Sequence, residues 1–422
     1  MEKKRYEVLG ETLYTGTLSN GLTVYVIPKH NYEKKYAFFA TGYGGADRRF
    51  QLDGTWRDTP AGIAHFLEHE LFDTETGNAL ADLAANGAQP NAFTSAELTA
   101  YYFECTDGFE KNLKTLLDFV STPYFTAESV VKEQGIIGQE IGMVEDTPGY
   151  VVYFNLLKGL YATHPVRDSV AGTVESIGQI TAKTLYDLHR AFYRPSNMVL
   201  CAVGDIDPEQ VLKTARAILP SDYHEPPVKD YGPLDESPVI KARTEVSMAV
   251  SKPLFFAGTR VPPGGRGIAC LKQELIGHLA TQYLAGTSSP LYIRLYGEGL
   301  IASDFSCGFL SGLSHAITEF GGESRDPDKV LEEIKTEAIK TLADGIDEAR
   351  FNRLKKAASG QLIRGLDNVE HLCYEQTASH FLGASVLDRH AVLAEITGAD
   401  VLEFITAHLQ AEQFAISIVN PL

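Results

Sequence analysis

The sequence predicts an α+β chain built from two similar units, and three observations carry that prediction. An Asn20-Gly21 pair stands between the two β-rich runs of "TLYTGTLSNGLTVYVIPK", the strongest short hairpin signal available from sequence. Strand-like runs are mixed with pairs of helical patterns instead of alternating strictly with them, which favours an α+β layout with mixed or antiparallel sheets over a doubly wound parallel one. Finally, "KYAFFATGY" in the first half is echoed by "KPLFFAGTR" in the second, as two diverged copies of one unit would require.

In chain order, the Asn-Gly hairpin is followed by "KYAFFATGY" as a buried strand. Helical patterns then fall near 61–72, 76–86, 109–121 and 127–145, interrupted by a long strand-like segment from Asn91 to Cys105. "MVLCAVGDID" reads as a strand and "PEQVLKTARAIL" as the amphipathic helix after it. From Pro220 to Pro238 the chain is rich in proline and acidic residues and has no hydrophobic period, which marks a linker. Beyond it come strands in "RTEVSMAV" and "KPLFFAGTR", a long helix near 267–285, two strands near 301–320, further helices and a last strand "FAISIV". The expected organisation is therefore a first domain over 1–220, a linker over 221–240 and a companion domain over 241–422.

Composition bounds the function. With 422 residues, 44% hydrophobic and 22% charged, the chain is long enough for two packed cores. Its apolar runs fall short of the roughly 20 residues of a membrane-spanning helix, and "MEKKRYEVLGETLY" lacks the apolar stretch of a secretory signal. A net charge of -18 argues against nucleic acid and anionic membrane as partners. Five scattered cysteines without a C-x-x-C pair read as reduced core residues of a cytoplasmic protein.

The chemistry concentrates in "AHFLEHELF", Ala64 to Phe72. On a helix, residues at i, i+3 and i+4 share a face, so His65, Glu68 and His69 point the same way. Two imidazoles one turn apart suit two corners of a tetrahedral zinc site, and Glu68 would stand beside the open corner, where water is readily deprotonated. This H-x-x-E-H order is the inverzincin signature. A metal would also give a carboxylate in so apolar a helix its partner. The site needs a third ligand, a carboxylate from another element. In "TAESVVKEQGIIGQEIGMVED", Glu133 and Glu140 stand nearly two turns apart on one stripe with Ile137, Ile141 and Val144, so that one could bind metal while the other holds a ligand or solvent. Gly135, Gly138 and Gly142 weaken that helix by about 1 kcal/mol each relative to alanine, a cost that close approach of a neighbouring helix would offset.

"GIAHFLEHELF", "NAFTSAELTAYYF" and "VVKEQGIIGQEI", in that order, resemble the pitrilysin/insulinase family of zinc metallopeptidases. The resemblance covers most of residues 15–220 and is weaker in the second half. It implies two similar α+β domains that form half of a clamshell. It further implies one Zn2+ per chain held by His65, His69 and Glu140, with Glu68 as general base and Glu133 as supporting carboxylate. Asn91, Ala92 and Phe93 match the family's edge strand, which would bind an extended peptide by β-augmentation. In the second half many relatives carry an arginine and a tyrosine that hold substrate, where this chain has Tyr296 and Ala302 in "LYGEGLIASDF". That departure, together with the way some bacterial relatives divide the two motifs between chains, implies a dimer, either of identical chains or with a metal-less homologue. A non-catalytic peptide-binding or scaffold subunit is the alternative function.

Other polar residues carry weaker signals. His164 in "ATHPVRDS" reads as a turn or packing residue, His189, His278 and His315 have less support still, and "GYGGAD" from Gly42 reads as a glycine turn because no phosphate-loop lysine follows.

Overall fold

The computed structural model describes residues 1–233 and 235–422; Leu234, inside the expected linker, lies outside the described residues. The chain forms two compact units, each with one principal sheet.

The first unit's sheet has seven strands, in the spatial order Glu2–Tyr6, Glu11–Thr17, Thr23–Pro28, Met198–Gly204, Lys35–Thr41, Thr99–Cys105 and Gln89–Thr94. The second unit's sheet has five, ordered Arg243–Met248, Phe414–Pro421, Leu254–Val261, Ala316–Glu323 and Ser306–Ser311. Counted in chain order from Thr23–Pro28 and from Arg243–Met248, both sheets read 1-5-2-4-3. In each, strands 1 and 5 are parallel and every other pairing is antiparallel. "KYAFFATGY" and "KPLFFAGTR" supply strand 2 of their units, so the echo in sequence corresponds to one repeated topology.

The segment 91–105 is two strands, not one. Ser95 breaks it: its N–H donates to Leu98 O at 2.8 Å and its Oγ accepts from the Leu98 N–H at 3.2 Å, closing a turn between Gln89–Thr94 and Thr99–Cys105.

Lys35–Thr41 shows why the sheet needs cover on both sides. Successive side chains point to opposite faces; Ala37 and Phe39 enter one core cluster and Phe38 and Ala40 another. The first face is covered by helices including Ile63–Glu70, Phe109–Ser121 and Ala182–Phe192. The second is covered by the helix Val369–Phe381, whose Leu372 and Cys373 join Phe38 and Val199, with the Cys373 thiol donating to Cys201 O at 3.3 Å. In the second unit, the helix Pro148–Leu160 packs on the sheet, and Gly159 lies so close to the backbone that a Cβ there would stand 2.8 Å from Lys241 O. The compact units accordingly comprise Met1–Ile141, Ser169–Tyr231 and Ile363–Leu387, and Gly142–Asp168, Gly232–Leu362 and Asp388–Leu422. They differ from a division into 1–220 and 241–422 because each half of the chain supplies one apolar helical segment to the other half's sheet.

Candidate metal centre

The helix Ile63–Glu70 begins at Gly62, which has φ 89° and whose added Cβ would lie 2.5 Å from Ala171 O. Only glycine fits both that conformation and that approach. Ile63, Ala64, Phe66 and Leu67 are buried and anchor one side of the helix, which turns His65, Glu68 and His69 toward the helix Ala127–Glu145. That second helix is held by buried Val130, Ile137 and Ile141, which set Glu133 and Glu140 on the side facing the histidines.

The Nε2 atoms of His65 and His69 lie 3.5 and 3.7 Å from the two carboxylate oxygens of Glu140. These separations exceed good hydrogen bonds. They do match the roughly 3.4 Å expected between ligand atoms about 2.1 Å from a common tetrahedral centre. His65, His69 and Glu140 are the sole such cluster among the described residues, with ligand atoms within 4.8 Å of one another. The chemistry of the set, two imidazoles and a carboxylate, fits a divalent metal such as zinc.

The two histidines are tuned differently. His69 Nδ1–H donates to Glu133 Oε1 at 2.8 Å, which fixes the tautomer and leaves Nε2 for the Glu140 side. Burial pulls the His69 pKa down, but the bond to Glu133 and the charges of Glu68, Glu133 and Glu140 outweigh it and raise the pKa. Those same carboxylates favour any cation at Nε2. Burial, then the neighbouring His69, lowers His65 to about 4, so that at neutral pH it is the uncharged imidazole that ligates metals. Its buried Nδ1 has no hydrogen-bond partner among the described residues.

Glu68 is 6% exposed. Burial raises its pKa, against the lowering effect of a 2.6 Å hydrogen bond from Thr94 Oγ1. Thr94 was invisible in the pentad's spacing, yet period 2 on the strand Gln89–Thr94 puts it on the same face as Ala92. Glu70, to which the sequence assigns no role, is buried and accepts from Ser129 Oγ at 2.8 Å, tying the two helices together; burial raises it to about 7.

Glu68, His69, Glu133, Asn91 and Ala92 share the wall of one cavity of about 400 Å³ with Phe72. Gln89–Thr94 is the edge of its sheet. Of the residues expected on it, Phe93 turns to the other face, where its ring meets Tyr102 and Tyr374.

Other expectations resolve into structure. Gly135, Gly138 and Gly142 have nothing within 4 Å of an added Cβ, so no neighbouring helix approaches them and that part of the sequence reading is corrected. His164 Nδ1 accepts the Val166 N–H and caps a short turn, and His189 Nε2 binds Val120 O. "GYGGAD" is a tight turn, with Gly44 N–H bound to Asp47 Oδ2 at 2.9 Å. No described helix is long and apolar enough to cross a membrane.

Comparison with known proteins places these observations. The family model described as insulinase (peptidase family M16) matches residues 54–174, and one described as the peptidase M16 inactive domain matches 179–358. The uncharacterized zinc protease YmfH of Bacillus subtilis is 38% identical over 99% of this chain and 98% of its own length. The crystal structure of an M16-like peptidase from Alicyclobacillus acidocaldarius superposes with TM-score 0.93 at 34% identity, covering 98% of this chain and 99% of that one. Pitrilysin shares the fold, with TM-score 0.77 at 16% identity, and its chain is about twice as long: the match takes in 100% of this chain and 46% of pitrilysin. The 38% identity to YmfH across nearly the whole chain, together with both domain models, shows that the chain belongs to the M16 insulinase family.

Proposed function

We propose that the chain is a zinc endopeptidase that cleaves peptide bonds in unfolded peptides or oligopeptides. The single observation that carries this reading is the spacing of His65 Nε2, His69 Nε2 and the Glu140 carboxylate beside a cavity shared by Glu68 and an edge strand. His65, His69 and Glu140 would hold one Zn2+ per chain, and Glu133 would orient His69. When bound, zinc supplies Lewis acidity at the scissile carbonyl and at water. Glu68 takes the proton of the attacking water and delivers it to the leaving amine. The strand Gln89–Thr94 offers backbone groups to an extended peptide. One of them, the Ala92 N–H, is bound to Asn91 Oδ1 at 2.9 Å, a contact that a substrate carbonyl would replace.

Glu68→Gln should keep the metal and lose hydrolysis, whereas His65→Ala should lose both. Hydrolysis surviving in purified Glu68→Gln protein sinks the mechanism.

A second reading, a non-catalytic peptide-binding or scaffold subunit, is favoured by the inactive-domain match over 179–358 and by Tyr296 and Ala302 at the substrate-holding positions. It is compatible with a dimer, including one with a metal-less homologue that supplies the missing groups. Zinc content, with cleavage of a mixed peptide pool with and without chelator, separates the readings; no zinc and no cleavage, alone or with a co-purifying partner, selects the scaffold. Cys105, Cys201, Cys307 and Cys373 form no disulfide among the described residues, which supports a reducing, cytoplasmic setting.

A further inference from the structure

Asp47 is 1% exposed and lies outside the metal centre, yet it carries a set of contacts that leads to it. Its Oδ2 accepts from the Gly44 N–H and from Lys229 Nζ, both at 2.9 Å, and its Oδ1 accepts from Tyr231 OH at 2.8 Å. Lys229 Nζ also donates to Gly42 O at 2.6 Å. Lys229 and Tyr231 belong to the proline-rich, acidic segment that reads as a linker, so this segment reaches back to pin the Gly42–Asp47 turn. The turn in turn grips the hairpin of the edge strand: the Gly45 N–H donates to Ser95 O at 2.9 Å, the Ala46 N–H to Ala96 O at 2.8 Å, and Thr99 Oγ1 to Tyr43 O at 2.8 Å. The approach is tight, since a Cβ on Gly44 would stand 2.5 Å from both Ser95 O and Glu97 N. Ser95 directly follows Thr94, whose hydroxyl meets Thr99 Oγ1 at 3.3 Å and donates to Glu68.

We propose that Asp47, Lys229 and Tyr231 are positioning residues for the site: the buried ion pair locks the Gly42–Asp47 turn against residues 95–99 and thereby fixes Thr94 on Glu68. This rests on the reading of Glu68 as the base. A charged group is held here by charged and neutral donors at once, the kind of buried network that fixes one geometry when every member is satisfied.

The test is hydrogen exchange on the full chain, with wild type compared to Lys229→Met, the milder Tyr231→Phe, and Lys229→Arg as the conservative rescue. Exchange of the amides in 42–47 and 94–99 should quicken about tenfold or more in Lys229→Met and less in Tyr231→Phe, with the helix Ile63–Glu70 unchanged and Lys229→Arg close to wild type. In the zinc-loaded protein acting on an extended fluorogenic peptide, Lys229→Met should lower kcat about tenfold with KM within about twofold, because the ladder between Gln89–Thr94 and Thr99–Cys105 persists while the Thr94–Glu68 contact loosens. Unchanged exchange at 94–99, or an increase spread evenly through the unit, overturns the proposal, as does a rise in KM at constant kcat. An inactive wild-type protein would instead remove the peptidase reading, and the exchange experiment would still decide whether the ion pair fixes the hairpin.

Discussion

Thr94 Oγ1 donates a 2.6 Å hydrogen bond to Glu68 Oε2, linking the end of the edge strand to the buried carboxylate of the H-x-x-E-H helix. The bond fixes one carboxylate oxygen and leaves the other for the cavity. Removing a donor to a buried charged group costs about 1.5–3 kcal/mol. Thr94→Val should therefore lower kcat roughly ten- to a hundredfold without loss of zinc, and Thr94→Ser should recover most of it. Full kcat in Thr94→Val would show that the bond is incidental to the chemistry.

Glu133 touches His69 Nδ1 at 2.8 Å and makes no direct approach within salt-bridge distance to His65. Its effect on the proposed metal site would act through the orientation and basicity of one ring. Glu133→Ala should weaken zinc binding about 10–100-fold, measured by competition with a chromogenic chelator. An unaltered dissociation constant would remove Glu133 from the centre and leave its carboxylate a purely structural partner.

What the sequence made legible in this site follows from helical geometry. His65, Glu68 and His69 lie within one turn and a third, and Glu133 and Glu140 within two turns, so a fixed 100° step per residue places them without knowledge of the fold. Which glutamate meets both Nε2 atoms depends on how two helices pack, and only the family resemblance, not the spacing, points to Glu140. Thr94 and Ser129 were missed because their partners, Glu68 and Glu70, are 26 and 59 residues away, and no local period connects them. The two-sheet fold was readable through the Asn20-Gly21 hairpin and the paired "FFA" strands. The assignment of 142–168 and 363–387 to the opposite units was not, since an amphipathic helix shows that it needs an apolar surface and not which one.

Two glycines near the centre should respond in opposite directions. Gly62 has φ 89°, with Ala171 O 2.5 Å from where a Cβ would stand, while Gly138 has open space around its Cβ position. Gly62→Ala should destabilise the first unit by about 2 kcal/mol or more through backbone strain and the clash. Gly138→Ala should stabilise it by about 0.5–1 kcal/mol, since alanine is the better helix former and nothing obstructs it. Denaturant midpoints of the two variants on opposite sides of wild type meet this expectation. A stabilising Gly62→Ala would mean that the helix start is not set as described.

His189 gives the fold an acid sensitivity independent of the metal centre. The ring is 8% exposed and donates through Nε2 to Val120 O at 2.9 Å. Burial lowers its pKa from 6.5 to about 4, against the small opposing effect of that bond. Between those two values the unfolded chain holds a proton that the folded chain does not, so stability falls as the pH drops from about 6.5 and the loss is complete below about 4. The shift corresponds to about 3 kcal/mol at full extent. His189→Gln keeps an N–H that can reach Val120 O and carries no titrating group, so its stability difference from wild type should shrink or reverse as pH falls through that window. Parallel pH profiles of the two proteins, from urea unfolding followed by exchange in the helix Ala182–Phe192, would show that His189 is not the group responsible.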